Sequence, residues 1–201
     1  TGDVYIGGSF RKVGTLDAFY IARWDGQAWY KVGGGDPLDN GTNGIVRALA
    51  FDPSGNLYVG GDFTTAGTLP AAHVARWNGS SWSVLGRPVM IDATQAANGV
   101  NGPVYALAYD AESDHPGIFI GGSFTEATEW GGLGDSRAWI PCNNIVRFET
   151  VYCTPGPGTL CYNTTSLGAN GSVRAIAMRY ADYRNDVVFA GNFGTAGAGS
   201  Y

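Results

Sequence analysis

The chain has 201 residues, of which 32 are glycine, 13% aromatic and 14% charged, and its formal net charge is −5. Few charges and many rings argue against disorder, which needs the reverse. The acidic balance and the absence of basic runs argue against a phosphate-gripping nucleic-acid surface, and no stretch approaches the ~18 apolar residues of a membrane helix.

The elements recur in one order along the chain. Residues 4–10 (VYIGGSF), 21–29 (IARWDGQAW) and 45–52 (IVRALAFD) are short apolar pieces with strand-like composition. Residues 57–63 (LYVGGDF), 74–82 (VARWNGSSW) and 104–110 (VYALAYD) repeat them. So do 118–124 (IFIGGSF), 145–152 (IVRFETVY) and 173–178 (VRAIAM), and 187–193 (VVFAGNF) opens a fourth set. The shared Phe10, Phe63, Phe124 and Phe193 lie 53, 61 and 69 residues apart. A repeat of that size built of short strands predicts an all-β array of propeller type.

One repeat shows how the pieces connect. Residues 46–51 are nearly all apolar, as expected of a strand buried on both faces. Residues 52–56 (DPSGN) are a turn by composition. The strand at 57–63 follows, and its diglycine Gly60-Gly61 marks a close approach by another backbone or a bulky ring. Asn78-Gly79 then turns strand 74–77 into strand 82–85. Four strands in an antiparallel meander make one propeller blade. With strands A to D numbered from the inside, the chain reads B-C-D, then A-B-C-D twice, then A-B. The single repeat array at 1–201 thus divides into a partial blade 1–33, a blade 45–85, a blade 103–152 with insertion 125–144, and a partial blade 172–201. About 3.5 blades do not close a propeller, so the chain is expected to be an incomplete segment of a larger propeller or assembly, not self-sufficient. Its partners are then other copies of itself or the remainder of a longer chain.

The pattern LYVGGDF–TTAG–VARWNGSSW–VLG–VYALA resembles the kelch-type propeller repeat. It is similar to the central domain of galactose-oxidase-like proteins and to fungal and bacterial cell-surface propellers. The resemblance covers nearly the whole chain, through the diglycines Gly7-Gly8, Gly60-Gly61 and Gly121-Gly122 and the pairs Trp24/Trp29 and Trp77/Trp82. The third repeat departs from it with Phe148 and no WNG turn, and the fourth with Ala190-Gly191. The resemblance implies the fold; propellers host many unrelated activities, so it does not imply one.

Candidate sites follow from positions that do not repeat. Trp24, Trp29, Trp77 and Trp82 recur and are expected to pack between blades. Trp130 and Trp139 lie in the insertion and are the candidates for a contact surface, with glycans among its expected partners and capping of the insertion's own core as the alternative reading. Arg23, Arg76 and Arg147 share one position and Arg47 and Arg174 another, so structural pairing with carboxylates or carbonyls is expected. Clustered oxygens at Asp36, Asp39 and Asn40 in a glycine-rich loop are a calcium candidate without EF-hand spacing; Glu126, Glu129 and Asp135 are weaker ones. No other cofactor is expected. Cys153 and Cys161 flank the loop TPGPGTL and form the disulfide candidate; Cys142–Cys161, Cys142–Cys153 and free thiols are the alternatives. Sequons at Asn40, Asn78, Asn163 and Asn170 are N-glycosylation candidates, although Asn-Gly is also a turn pair. Sequons and cysteines together point to an extracellular or cell-surface location.

Enzyme chemistry has little to work with. His73 and His115 are the two histidines, and neither stands in a nucleophile motif. A copper site of galactose-oxidase type needs more ligands than two scattered histidines supply. The expected function is therefore a non-catalytic structural or interaction scaffold, such as a unit of a surface layer, adhesin or filamentous appendage. The alternatives are a carbohydrate-binding propeller and a fragment of a secreted glycan-active enzyme with two converging acids. Any ligand is expected on the face carrying the long loops, at 125–144 after strand B and at 33–44, 86–103 and 153–171 after strand D.

Overall fold

A computed structural model describes residues 2–33, 40–85, 89–92, 95–113, 116–128, 139–152, 160–181 and 184–196. Every regular element among them is a β-strand, and each pairing between strands is antiparallel. The first sheet holds β1 (Val4–Gly7), β4 (Ile21–Trp24) and β5 (Trp29–Lys31), with β2 (Lys12–Val13) and β3 (Leu16–Asp17) forming a small ribbon between β1 and β4. The second sheet holds β6 (Val46–Phe51), β7 (Leu57–Gly61), β10 (Val74–Trp77) and β11 (Trp82–Val84); its ribbon is β8 (Thr65–Ala66) with β9 (Leu69–Pro70). A hairpin, β12 (Val89–Asp92) and β13 (Gln95–Ala97), follows where a plain loop was expected at 86–103.

The third sheet holds β14 (Val104–Asp110), β15 (Gly117–Gly122), β18 (Ile145–Tyr152) and β19 (Leu160–Ser166), with the ribbon β16 (Glu126–Thr128) and β17 (Trp139–Pro141). The last sheet pairs β20 (Ser172–Ala181) with β21 (Arg184–Asn192). The four sheets thus hold three, four, four and two strands, each a meander in sequence order. One boundary needs correction. The third sheet does not end at residue 152: 145–152 is a single strand, and the fourth strand is 160–166, outside the expected blade 103–152. No turn residue interrupts IVRFETVY, so the chain reverses only after it.

Three hydrophobic clusters hold the sheets together. Tyr5 and Ile21 of the first sheet pack with Val46, Leu57, Val59 and Trp77 of the second. Tyr58 and Val74, on the opposite face of that second sheet, pack with Val104, Ile118, Ile120 and Phe148 of the third. Ile145 packs with Val173, Ile176 and Phe189. Alternation along β7 explains the arrangement: Leu57 and Val59 face one neighbouring sheet, and Tyr58 and Gly60 face the other. Each fully buried Leu, Ile, Val or Phe contributes about 1.5–3 kcal/mol relative to exposure.

The first glycine of each diglycine is where neighbouring sheets come closest. A Cβ on Gly60 would overlap Val104 Cγ1, and one on Gly7 would overlap Val46 Cγ1. A Cβ on Gly121 would sit 2.6 Å from Val173 Cγ1. The second glycine has a different reason: a Cβ on Gly61 or Gly122 would strike the carbonyl of Ile45 or Pro103, in the segment leading into the first strand of its own sheet. The repeated Trp positions form cross-strand pairs. Trp24 stands opposite Trp29 and Trp77 opposite Trp82, with ring centroids 5.2 and 5.1 Å apart.

Gly60→Ala and Gly121→Ala are each expected to lower stability by about 1–3 kcal/mol through overpacking, measured by chemical denaturation. Gly2→Ala, where a Cβ meets open space, leaves stability unchanged. Val104→Ala combined with Gly60→Ala recovers part of the Gly60 loss, because the two changes share one contact.

Candidate functional site

The connections after the diglycine strands β1, β7 and β15, the segment after β21, and the linkers between sheets lie on one face, and linkers and connections are tied to each other. Bridges Thr42↔Ala66, Val100↔Ala127 and Ala169↔Ala196 join each linker to the connection inside the following sheet. The opposite face carries tight turns. At Asp25 the carboxylate accepts the Gln27 and Ala28 N–H groups, which lowers its pKa; at Asn78 the side-chain oxygen accepts those of Ser80 and Ser81. The long-loop face is therefore the face where ligand contacts are sought.

The linkers follow a motif, NGTNG (40–44), NGVNG (98–102) and LGANG (167–171). Its second asparagine grips the following sheet. Asn43 Oδ1 accepts from the N–H groups of Thr64 and Thr65 at 2.8 and 2.9 Å. Asn101 does so from Thr125 and Glu126, and Asn170 from Gly194 and Thr195. The first asparagine grips the preceding sheet: Asn40 Nδ2 donates to Asp17 O, and Asn98 Nδ2 to Pro70 O, both at 3.1 Å. Where the motif has Leu167, Asn144 substitutes, donating to Ala169 O at 2.8 Å. The glycine after the first asparagine is left-handed at each linker, with φ of 70° at Gly41, 67° at Gly99 and 60° at Gly168. Of these asparagines, Asn40 and Asn170 fall in sequons; Asn43, Asn98 and Asn101 carry no expectation from composition or motif. The motif itself, seen three times, was the available signal.

Asn40 is therefore a buried position in the folded chain. It is 5% exposed, and its amide nitrogen donates to Asp17 O. As for the calcium candidate, Asn40 Nδ2 donates to a carbonyl while its Oδ1, the atom a cation would take, is buried without a hydrogen-bond partner among the described residues; Asp36 and Asp39 lie outside the described residues. Asn78 and Asn170 are exposed and bond through Oδ1, while Asn163 lies on β19 opposite Glu149. Trp139 is half-buried and stands opposite Thr128, the pair of the third ribbon farthest from β15 and β18 in sequence. That ribbon matches β2–β3 and β8–β9, so the insertion elaborates an element the other sheets also have. Trp130, Glu129, Asp135 and His115 lie outside the described residues. Among the described residues no cluster of three metal-ligating side chains occurs.

Cys142 is a free thiol and 1% exposed, which removes the two pairings that used it. It occupies the place of the buried Ala18 and Ala71 in the other sheets, and its N–H donates to Thr125 O as theirs do to Arg11 O and Thr64 O. Burial, with Glu126 nearby, pushes the thiol up to about 12. Cys161 lies on β19 opposite Val151, and Cys153 lies outside the described residues.

The expected arginine pairings hold in part. Arg23 meets Asp3 at 3.0 Å, and Arg147 meets Glu149 at 2.9 Å and Asp110 at 3.3 Å. Arg47 holds Asp62 through two bonds of 2.7 Å. Arg76 departs from the pattern: among the described residues it forms no ion pair with a carboxylate.

His73 is a corner rather than a base. Tyr20, His73 and Asn144 each precede the strand that pairs with the diglycine strand of their sheet (β4, β10 and β18) and lie in the left-handed region, with φ of 66°, 63° and 64°. Their N–H groups donate to the O atoms of Phe10, Phe63 and Phe124, and their carbonyls accept from Gly8, Gly61 and Gly122. Those paired bonds close the corner and hold φ positive in residues without glycine's freedom. His73 Nδ1 lies 3.2 Å from Gly61 O, and burial holds its pKa below the ordinary 6.5.

Compared with protein-family models, curated proteins and solved structures, the chain has no significant match.

His73→Asn is expected to hold stability within about 0.5 kcal/mol, since Asn tolerates the left-handed region, while His73→Val costs about 1–2 kcal/mol. The depressed pKa means that the unfolded chain takes up a proton the folded chain resists. Its contribution is present above pH 6.5 and lost as pH falls below it. His73→Asn removes that loss, as denaturation at a series of pH values will show. Cys142 is expected to escape iodoacetamide in the native chain at about pH 8 and to react in denaturant. Peptide mass spectrometry reads the difference.

Proposed function

We propose that the chain is a run of β-propeller blades that serves as a non-catalytic, extracellular structural and interaction scaffold. The observation that carries this reading is how its repeated polar residues are spent. Asn43, Asn101 and Asn170 tie each linker to the next sheet. Tyr20, His73 and Asn144 turn the corners, and Arg23, Arg47 and Arg147 brace their sheets. Residue types that often carry chemistry are committed to holding one sheet against the next. Sheets of the same design packed face to face through the same contacts are how a propeller is built.

Partners of this scaffold would be strands of another copy or of a longer polypeptide. In the two complete sheets the second strand lies between two neighbours, but β1 pairs with β4 alone and β21 with β20 alone. Val4 is 52% exposed and Val188 56%. Apolar strands with an open edge are templates for further pairing.

Light scattering of the chain is expected to give masses that rise with concentration. Val4→Lys and Val188→Lys, placing charge on each edge strand, reduce that association. A single monomer mass at every concentration, with slow amide exchange along β1 and β21, would contradict the scaffold reading. Saturable binding of a neutral glycan, lost on changes in the long loops, would favour the carbohydrate-binding alternative instead.

A further inference from the structure

Each inner strand carries one extra residue at the same place. β6 passes from Val46 to Ala48 while its partner β7 advances one residue, from Gly61 to Gly60. β14 passes from Val104 to Ala106 against Gly122 and Gly121, and β20 from Val173 to Ala175 against Gly191 and Ala190. The residues left out of the ladder are Arg47, Tyr105 and Arg174. A bulge of this kind bends its strand and re-aims one side chain, and bulges gather near functional sites. These three side chains meet across three sheets. The Arg47 guanidinium lies 5.6 Å from the Tyr105 ring centroid and the Arg174 guanidinium 5.2 Å from it. The group sits at the start of the inner strands, beside the NG linkers of the long-loop face. It concentrates two cations on one ring in a chain whose net charge is −5.

The two arginines are not equally compensated. Arg47 is held by Asp62, whose two oxygens accept its Nε and Nη2 at 2.7 Å each. Asp62 follows the second glycine of β7, and the residue in that place beside Arg174 is Asn192, an amide without charge. Among the described residues no carboxylate forms an ion pair with Arg174. Arg174 is exposed, and its planar fork of donors matches a planar carboxylate. Contact with the ring restrains the guanidinium in advance, so less freedom is lost when an anion docks.

We propose that Arg174, steadied by the Tyr105 ring and flanked by Arg47, binds a small carboxylate-bearing molecule, the ligand carboxylate taking at Arg174 the place that Asp62 takes at Arg47. This site goes beyond the scaffold role and does not depend on closure of a propeller or on self-association.

The test is nuclear magnetic resonance of the arginine Nε–H groups in the intact chain, titrated with sodium D-glucuronate. D-glucose at matched ionic strength is the neutral control. The Arg174 resonance is expected to shift saturably with glucuronate in the millimolar range and not with glucose. Arg174→Gln, followed through the Arg47 resonance, weakens binding about tenfold or more, the value of a charge-assisted pair. Asn192→Asp supplies Arg174 with the partner Arg47 already has, and it weakens binding equally without removing a cation. Asp62→Asn frees Arg47 and adds a second binding event. Lack of a saturable shift at Arg174, an equal response to glucose, or undiminished binding in Asn192→Asp would each overturn the proposal.

Discussion

Everything else in this chain depends on how closely one sheet lies against the next. The distance is set where a hydrogen atom, rather than a side chain, faces a valine: Gly7 on Val46, Gly60 on Val104 and Gly121 on Val173. A side chain at any of these positions would push the sheets apart and open a gap around it. Gaps of even a methyl group cost contacts on both walls, because dispersion falls steeply with distance. The flanking Leu49, Leu107 and Ile176 then fill the space beside each valine, and the three hydrophobic clusters form around these junctions.

Sheets brought so close must still satisfy the polar backbone of the segments that join them. The linkers run between two sheets, where water is partly excluded and an unbonded N–H or C=O is costly. Asparagine suits this position because it carries both a donor and an acceptor on a short stem. In NGTNG and NGVNG the first amide is spent on the sheet behind and the second on the sheet ahead. Each linker is thereby a rivet, and Asn40 and Asn98 are buried for that reason. The left-handed corners at Tyr20, His73 and Asn144 serve the same end, since each turns a strand by exchanging two backbone bonds with the strand before it.

Repetition separates scaffold from difference. Positions that must fit a neighbour stay the same kind of residue, while positions facing solvent change character from one sheet to the next. After the diglycine the chain carries Ser9, Asp62, Ser123 and Asn192 in turn, and at the bulge Arg47, Tyr105 and Arg174. Identical backbones thus present chemically different groups around one face. The geometry of that face is fixed by the riveted sheets beneath it, which is the condition for a site with defined spacing.

Strand identity, meander order and the need for glycine at close approach were readable in the chain alone, because each has a local cause. Apolar runs between turn residues mark strands, and a diglycine inside such a run marks a close approach, although the partner at its first glycine is a valine and not the ring that was expected. The strand at 160–166 was not readable, because LCYNTTS has the polarity of a loop and becomes a strand only by pairing with 146–152. The corners at Tyr20 and His73 left no trace either, since neither residue prefers the left-handed region and tertiary hydrogen bonds impose it. The bulges were equally silent. A one-residue slip does not alter composition or apolar pattern, so the meeting of Arg47, Tyr105 and Arg174 exists only once three sheets are stacked. Local periodicity determined what each segment would become; packing between sheets decided which polar groups were consumed by the fold and which remained at its surface.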